Sequence, residues 1–135
     1  MEKAAFKLEN FRFSQAKLCF DIPEKSTLEV SFAPSGVYHK ESGVYDLTFV
    51  TSVMCEETKT EVVNVLCIAQ FKFKEVIAID EIPDFFYPNS LAILFPYVRA
   101  FVSTISLQAN VTPVVLPTLN LRGLEQELRS KTTVE

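Results

Sequence analysis

Strands first and helices afterwards: the sequence predicts an α+β fold, a four-stranded antiparallel, Greek-key-like sheet followed by one long helix and a short C-terminal helix. Three observations carry this. Apolar residues alternate with a period of two from Phe6 to the seventies. The spacing then switches to three and four from Leu91 onward. A polar turn, EETK at 56–59, joins the third and fourth alternating segments, and so short a link demands an antiparallel hairpin.

The first segment pairs Phe6 with Leu8, Phe11 with Phe13, and Leu18 with Phe20 and Ile22. The alternation slips at Glu9-Asn10 and again near Gln15-Ala16-Lys17. An extra residue exchanges the two faces of a strand, so these slips predict bulges in one long strand that Pro23 ends. Leu28, Val30 and Phe32 form a short isolated strand, stopped by Pro34-Ser35-Gly36. Val44 to Met54 is the third strand, with Tyr45, Leu47, Phe49, Thr51 and Val53 on one face. Val62 to Val76 is the fourth: Val63, Val65, Cys67, Ala69, Phe71 and Phe73 share a side, while Asn64, Gln70, Lys72 and Lys74 share the other with Leu66 and Ile68. Leu94, Val98, Phe101 and Ile105 then repeat at helical spacing, widened by Leu91, Tyr97 and Val102. This predicts a helix over Leu91–Leu107 capped by Asn89 or Ser90, with Pro96 in its first two turns, where a missing N–H costs least. A linker with Pro113 and Pro117 leads to a charged helix marked by Leu121, Leu124 and Leu128. Residues 1–135 read as a single domain, frayed over residues 1–5 and 130–135.

At 135 residues and 15.3 kDa, one such domain buries roughly two-thirds of the surface its unfolded chain exposes. Apolar residues make up 48% and charged residues 22%, a balance that excludes a disordered chain and leaves more apolar surface than one small core consumes. The net charge of −4 and pI near 5.1 come without a basic stripe, so no nucleic-acid partner is expected. Residues 41–90 hold three bases against nine acids; a solvated sheet face and its turns account for them better than a docking patch for a basic partner. Cys19, Cys55 and Cys67 form no CxxC pair and read as small hydrophobes buried in strands, in a reducing compartment. The longest uncharged apolar run, Leu91–Val98, falls far short of the ~20 residues of a membrane span. Lys7 and Glu9 break up the N-terminal segment. A soluble, cytoplasmic protein without membrane insertion is the expectation.

The search for chemistry returns nothing. Gly36, Gly43 and Gly123 stand too far apart for a phosphate loop, and GxSxG and HExxH are absent. Glu56-Glu57, Asp80-Glu81 and Glu125/Glu127 fall in turns or on a solvated helix face, without the enclosure that separates carboxyl pKa values. The single histidine, His39, reads as a surface-loop residue. No catalytic residue, metal site or cofactor is predicted, and the protein is not expected to be an enzyme. What remains is surplus apolar surface: Leu28, Val30 and Phe32, and the second face of the long helix. Burying one Leu or Phe is worth roughly 1.5–3 kcal/mol, so leaving several exposed favours self-association even after the cost of association. An oligomer with an apolar groove follows.

Two segments add a resemblance. LFPYVR at 94–99 and the proline-punctuated VTPVVLPTLNL at 111–121 resemble the main helix and following linker of the SecB family of protein-export chaperones. VYDLTFV (44–50) and KLCFDIPE (17–24) fall at that family's spacing, and the likeness covers roughly residues 10–130. It implies an ATP-independent holdase, a homotetramer built as a dimer of dimers, that grips unfolded preproteins in long apolar grooves. By position, Leu28, Val30 and Phe32 would line the client groove, with Leu121, Leu124 and Leu128 bordering it from the second helix. Tyr97, Val98, Phe101 and Ile105 would lie in the oligomer interface. Of the acidic positions by which the family docks the SecA motor, only Asp21 matches; Lys17 and Leu66 stand at others. The resemblance therefore implies retained client holding, with SecA docking lost or altered, and it makes antitoxin-type clients an alternative to exported ones. Two readings compete: a structural or regulatory subunit whose spare surface an obligate partner covers, and a small-molecule carrier with Phe-lined grooves.

Overall fold

In the computed structural model, which describes residues 5–135, four long strands precede two helices and a last short strand. The strands are β1 (Phe6–Leu18), β2 (Leu28–His39), β3 (Val44–Cys55) and β4 (Glu61–Phe73); a 3₁₀ turn (Ile79–Glu81), α1 (Phe86–Gln108), α2 (Leu121–Ser130) and β5 (Thr132–Val134) follow. The sheet order is β1-β4-β3-β2-β5. Hairpins link β2, β3 and β4, and β1 returns beside β4, which is Greek-key connectivity. All these pairs are antiparallel except β2–β5, which is parallel.

Three expectations about the strands are corrected. The C-terminal residues 130–135 are not frayed: β5 pairs with Gly36–Tyr38 of β2, held by Gly36 N–H to the Lys131 carbonyl, Glu135 N–H to Tyr38 and Lys40 N–H to Glu135. Of the expected N-terminal fraying, residues 1–4 lie outside the described residues, and Ala5 accepts a hydrogen bond from Lys74 N–H. The first strand ends at Leu18 rather than Pro23, with its register shifts at Glu9, as expected, and at Ser14, slightly earlier than expected. The largest correction is β2, which runs straight through Pro34-Ser35-Gly36 to His39.

The reason lies in strand parity. Gly36 N–H points to the β5 side, away from β3, and Pro34, two residues earlier, shares that orientation. Its missing N–H therefore falls on the edge of the sheet, where no ladder bond to β3 is lost. Gly36 is required for a different reason. The Tyr45 phenol lies directly over it, where any Cβ would sit inside the ring atoms, and the Tyr45 hydroxyl bonds Thr132 Oγ1 at 2.6 Å. Gly36→Ala should therefore destabilise the protein by about 1–3 kcal/mol, the usual cost of overpacking, and should detach β5; denaturant unfolding and amide exchange at Thr132–Val134 measure both.

One face of the sheet makes the core. Tyr45, Leu47, Phe49, Val53, Val65, Cys67, Ala69, Phe71 and Phe73 are buried there with Tyr38. Phe86, Leu91, Leu94, Val98 and Val102 of α1 close over them. Phe86 is the centre of an aromatic cluster, with Phe6, Tyr45 and Phe73 at centroid distances of 4.7–5.0 Å. The helix starts earlier than expected, at Phe86, and no side chain caps it. Pro88 takes the first turn, Ser90 lies inside the helix, and Pro96 falls in the helix interior, so one helical hydrogen bond, to Ala92, is absent there. Cys19 is exposed in the β1–β2 crossover rather than buried in a strand, while Cys55 and Cys67 are buried as expected. His39 ends β2, its Nε2 2.7 Å from Asp46 Oδ2.

Candidate client-binding groove

An open groove of about 1000 Å³ runs along the start of β2. Leu28 and Val30 line it from β2, Phe20, Ile22 and Pro23 with the polar Glu24, Lys25 and Ser26 from the crossover, and Val111, Val114, Val115 and Pro117 with Asn110 and Thr112 from the α1–α2 linker. The crossover and the linker are each pinned by local hydrogen bonds. Cys19 N–H donates to the Val62 carbonyl at 2.9 Å, fixing the crossover to β4. At its far end Ser26 Oγ donates to the Pro23 carbonyl, and the Glu57 carboxylate accepts Thr27 N–H at 2.8 and 3.1 Å. That Thr27 N–H holds the Glu57 carboxyl below its usual range, because hydrogen bonds to the charged form favour it.

The linker is fastened to α1 by two serines. Asn110, at φ +63°, turns the chain out of the helix, as a residue just past a C-cap does. Ser106 Oγ accepts Val114 N–H at 2.8 Å, and Ser103 Oγ donates to the Val114 carbonyl at 3.0 Å. Val114 and Leu116 are buried, whereas Val115 is 65% exposed at the groove mouth. Ser106→Val strands the buried Val114 N–H, at a cost of about 1–3 kcal/mol. It should loosen the linker and speed amide exchange at Val114 more than Ser103→Ala does.

The residues expected at the groove divide. Leu28, 38% exposed, and the half-buried Val30 line it. Phe32 is next along β2 but packs inward, between Phe49 and Phe95 at 5.5 and 5.6 Å. Leu121 and Leu124 are half-buried against the core, and Leu128 is fully buried. None of the three lines the groove, because α2 packs on β2 and α1 with its leucines turned inward. Arg129 ties α2 to the start of α1, ion-paired with Asp84 and 4.6 Å above the Tyr87 ring. Phe20 and Ile22 were missed as groove residues because their alternation reads as strand, and the linker valines because they follow no periodicity.

The residues expected at an oligomer interface divide as well. Val98 is wholly covered by its own chain and has no surface to offer a second subunit. Phe101 stacks on Phe13 at 3.9 Å, and Ile105 is half-buried. Tyr97 is half-exposed above Phe11 at 4.5 Å. The exposed side of α1 carries Ala92, Ile93, Pro96, Tyr97, Ala100 and Leu107 together with the polar Asn89, Thr104 and Gln108, and Arg99 is the only charge on the helix. By length and composition α1 also suffices to cross a membrane, with mean hydropathy 1.5; its inward stripe, however, is built into the sheet's core. Asp21 is exposed in the crossover. Lys17, opposite Asn64, and Leu66, opposite Val50, lie on the outer sheet face.

No protein-family model matches the chain. The uncharacterized protein MJ0357 of Methanocaldococcus jannaschii is 35% identical over 131 residues, covering 90% of this chain and 83% of that protein. The chain belongs to the MJ0357 family. Its fold is SecB-like: the Mycobacterium tuberculosis Rv1957 SecB-like chaperone, solved in complex with a ChAD peptide from the Rv1956 HigA1 antitoxin, superposes with a TM-score of 0.69. That alignment covers 85% of this chain and 88% of the chaperone at 14% identity. The likeness is one of fold: this chain shares the α+β arrangement of sheet, long helix and short C-terminal helix.

Proposed function

We propose that this protein is an ATP-independent molecular chaperone that holds non-native polypeptides in the groove along β2. The open groove lined by Leu28 and Val30, with apolar side chains from the crossover and the linker among polar ones such as Ser26 and Thr112, carries the reading. At about 1000 Å³ it is at the upper end of small-ligand pockets and open to solvent, and its polar groups form no reactive constellation. Support comes from the SecB-like neighbour, which was solved with an antitoxin peptide; an antitoxin-type client is therefore favoured here over an exported preprotein. In this reading residues 1–135 form one cytoplasmic chaperone domain, without membrane insertion, enzymatic activity or a cofactor. The outward apolar face of α1, with Tyr97 and the exposed edges of Phe101 and Ile105, buries itself against other copies in a homotetramer, a dimer of dimers. Several grooves on one particle then raise the effective concentration for a long client and slow its release. SecA docking is not part of the proposal, since Lys17 sits where the outer face would need a carboxylate.

Light scattering with a chemically denatured client is the test. The protein should suppress aggregation at stoichiometric amounts without nucleotide and should leave the same client unaffected once folded. Unchanged aggregation would point to a plain structural subunit.

A further inference from the structure

The β2 lining of the groove is also an unpaired sheet edge. Among the described residues β2 has no strand neighbour on its outer side except β5, which covers only Gly36–Tyr38. Gly36 N–H and the Tyr38 carbonyl both face that outer side. Backbone direction repeats every two residues in a strand, so the N–H and C=O groups of Leu28, Val30 and Phe32 face it as well. Their side chains lie on the inner face of the sheet, opposite the buried Cys55, Val53 and Thr51. The same stretch thus presents three donors and three acceptors along a line, beside a groove whose apolar residues take every second side chain. Pro34 ends the row of donors just before β5 begins.

We infer that a client segment binds as an added β-strand on Leu28–Phe32 of β2, held by main-chain hydrogen bonds, with alternate apolar side chains in the groove. The chain already performs this operation on itself, since β5 is a short extended segment laid on the same edge. The occupant is an extended polypeptide rather than a second folded sheet, because residues of both the crossover and the linker line the groove beside this edge and the edge already takes a single extended segment at β5. Main-chain pairing explains how a groove accepts clients of different sequence: the backbone supplies affinity, and the pattern of every second residue supplies the only selection. The inference rests on the chaperone reading and adds the mode of capture to it.

The test uses the full-length protein and a synthetic nine-residue peptide alternating Val or Phe with Ser or Thr. Two further versions carry backbone N-methyl groups, one on the apolar residues and one on the polar residues. In an antiparallel added strand the groove-facing residues direct their N–H groups at β2; in a parallel one the residues between them do. One N-methylated set, and only one, should therefore lose affinity by about tenfold or more, as expected from several lost hydrogen bonds. Equal affinity of all three peptides overturns strand addition while leaving side-chain capture standing. Suppression of client aggregation without binding of the unmethylated peptide also overturns it. Loss of both removes the chaperone reading itself.

A protein variant gives the complementary measurement. Val30→Pro removes an outward N–H without breaking the β2–β3 ladder, as Pro34 already does, whereas Val30→Ala keeps the N–H. Val30→Pro should bind the peptide about tenfold more weakly than Val30→Ala. Equal binding by the two variants, or a change in oligomer size confined to Val30→Pro, shows instead that the edge is not used by the client.

Discussion

Replacing Leu28 and Val30 together by aspartate should abolish the proposed client capture while leaving the fold and the sedimentation behaviour unchanged. Each side chain removed from the groove forfeits about 1.5–3 kcal/mol of apolar burial against the client, and each carboxylate must lose water when an apolar segment arrives. At least a hundredfold loss in peptide affinity is the expected result, read by anisotropy, with aggregation suppression lost at stoichiometric amounts. The fold survives because both positions are at the sheet edge and reach water: Leu28 is exposed, and Val30, though it packs partly against the core, is only half-buried. Thermal unfolding and sedimentation should match the parent protein. Undiminished aggregation suppression by the double variant would move the client site away from β2.

The second large effect separates two residues on one helix. Val98→Asp should prevent folding, because Val98 has no exposed surface and an unpaired charge buried there costs several kcal/mol, a large part of a domain's entire stability of about 5–15 kcal/mol. Ile93→Asp should fold, since Ile93 is 40% exposed, and should instead sediment as a smaller species than the parent. Exposed apolar residues gathered on one side of a helix, here Ile93, Tyr97 and Leu107, favour contact with another apolar surface. Sedimentation velocity decides it: an Ile93→Asp protein with the parent's oligomeric size removes the outer face of α1 from the assembly.

The contrast between Val98 and Ile93 shows where sequence reasoning stops. A heptad-like stripe identifies which residues are apolar on a helix, but Leu94, Val98 and Val102 are inward only because the sheet lies on that side. Tyr97 and Leu107 are outward for the same reason. The groove divides in a similar way. Leu28 and Val30 were legible as apolar residues beyond the needs of the main core. Phe20 and Ile22 were legible as apolar but assigned to a strand that ends at Leu18, since alternation continues into an extended crossover. Ser103 and Ser106 carry no periodic signal, and their part in pinning Val114 depends on a linker folding back along its own helix.

By itself the sequence determined the class of fold: period-two alternation through the first half, the hairpin turn at 56–59 and helical spacing after Leu91 are local, and local spacing dictates which elements form. It also determined that the third and fourth strands would have a core face of Tyr45, Phe49, Val65 and Phe71, because alternation assigns faces without reference to partners. Only the tertiary structure decided that β2 passes through Pro34, that β5 covers the end of its edge, and that the linker walls the remainder into a groove. Those outcomes depend on which side of a strand is left unpaired, and that side is chosen by neighbours distant in the chain.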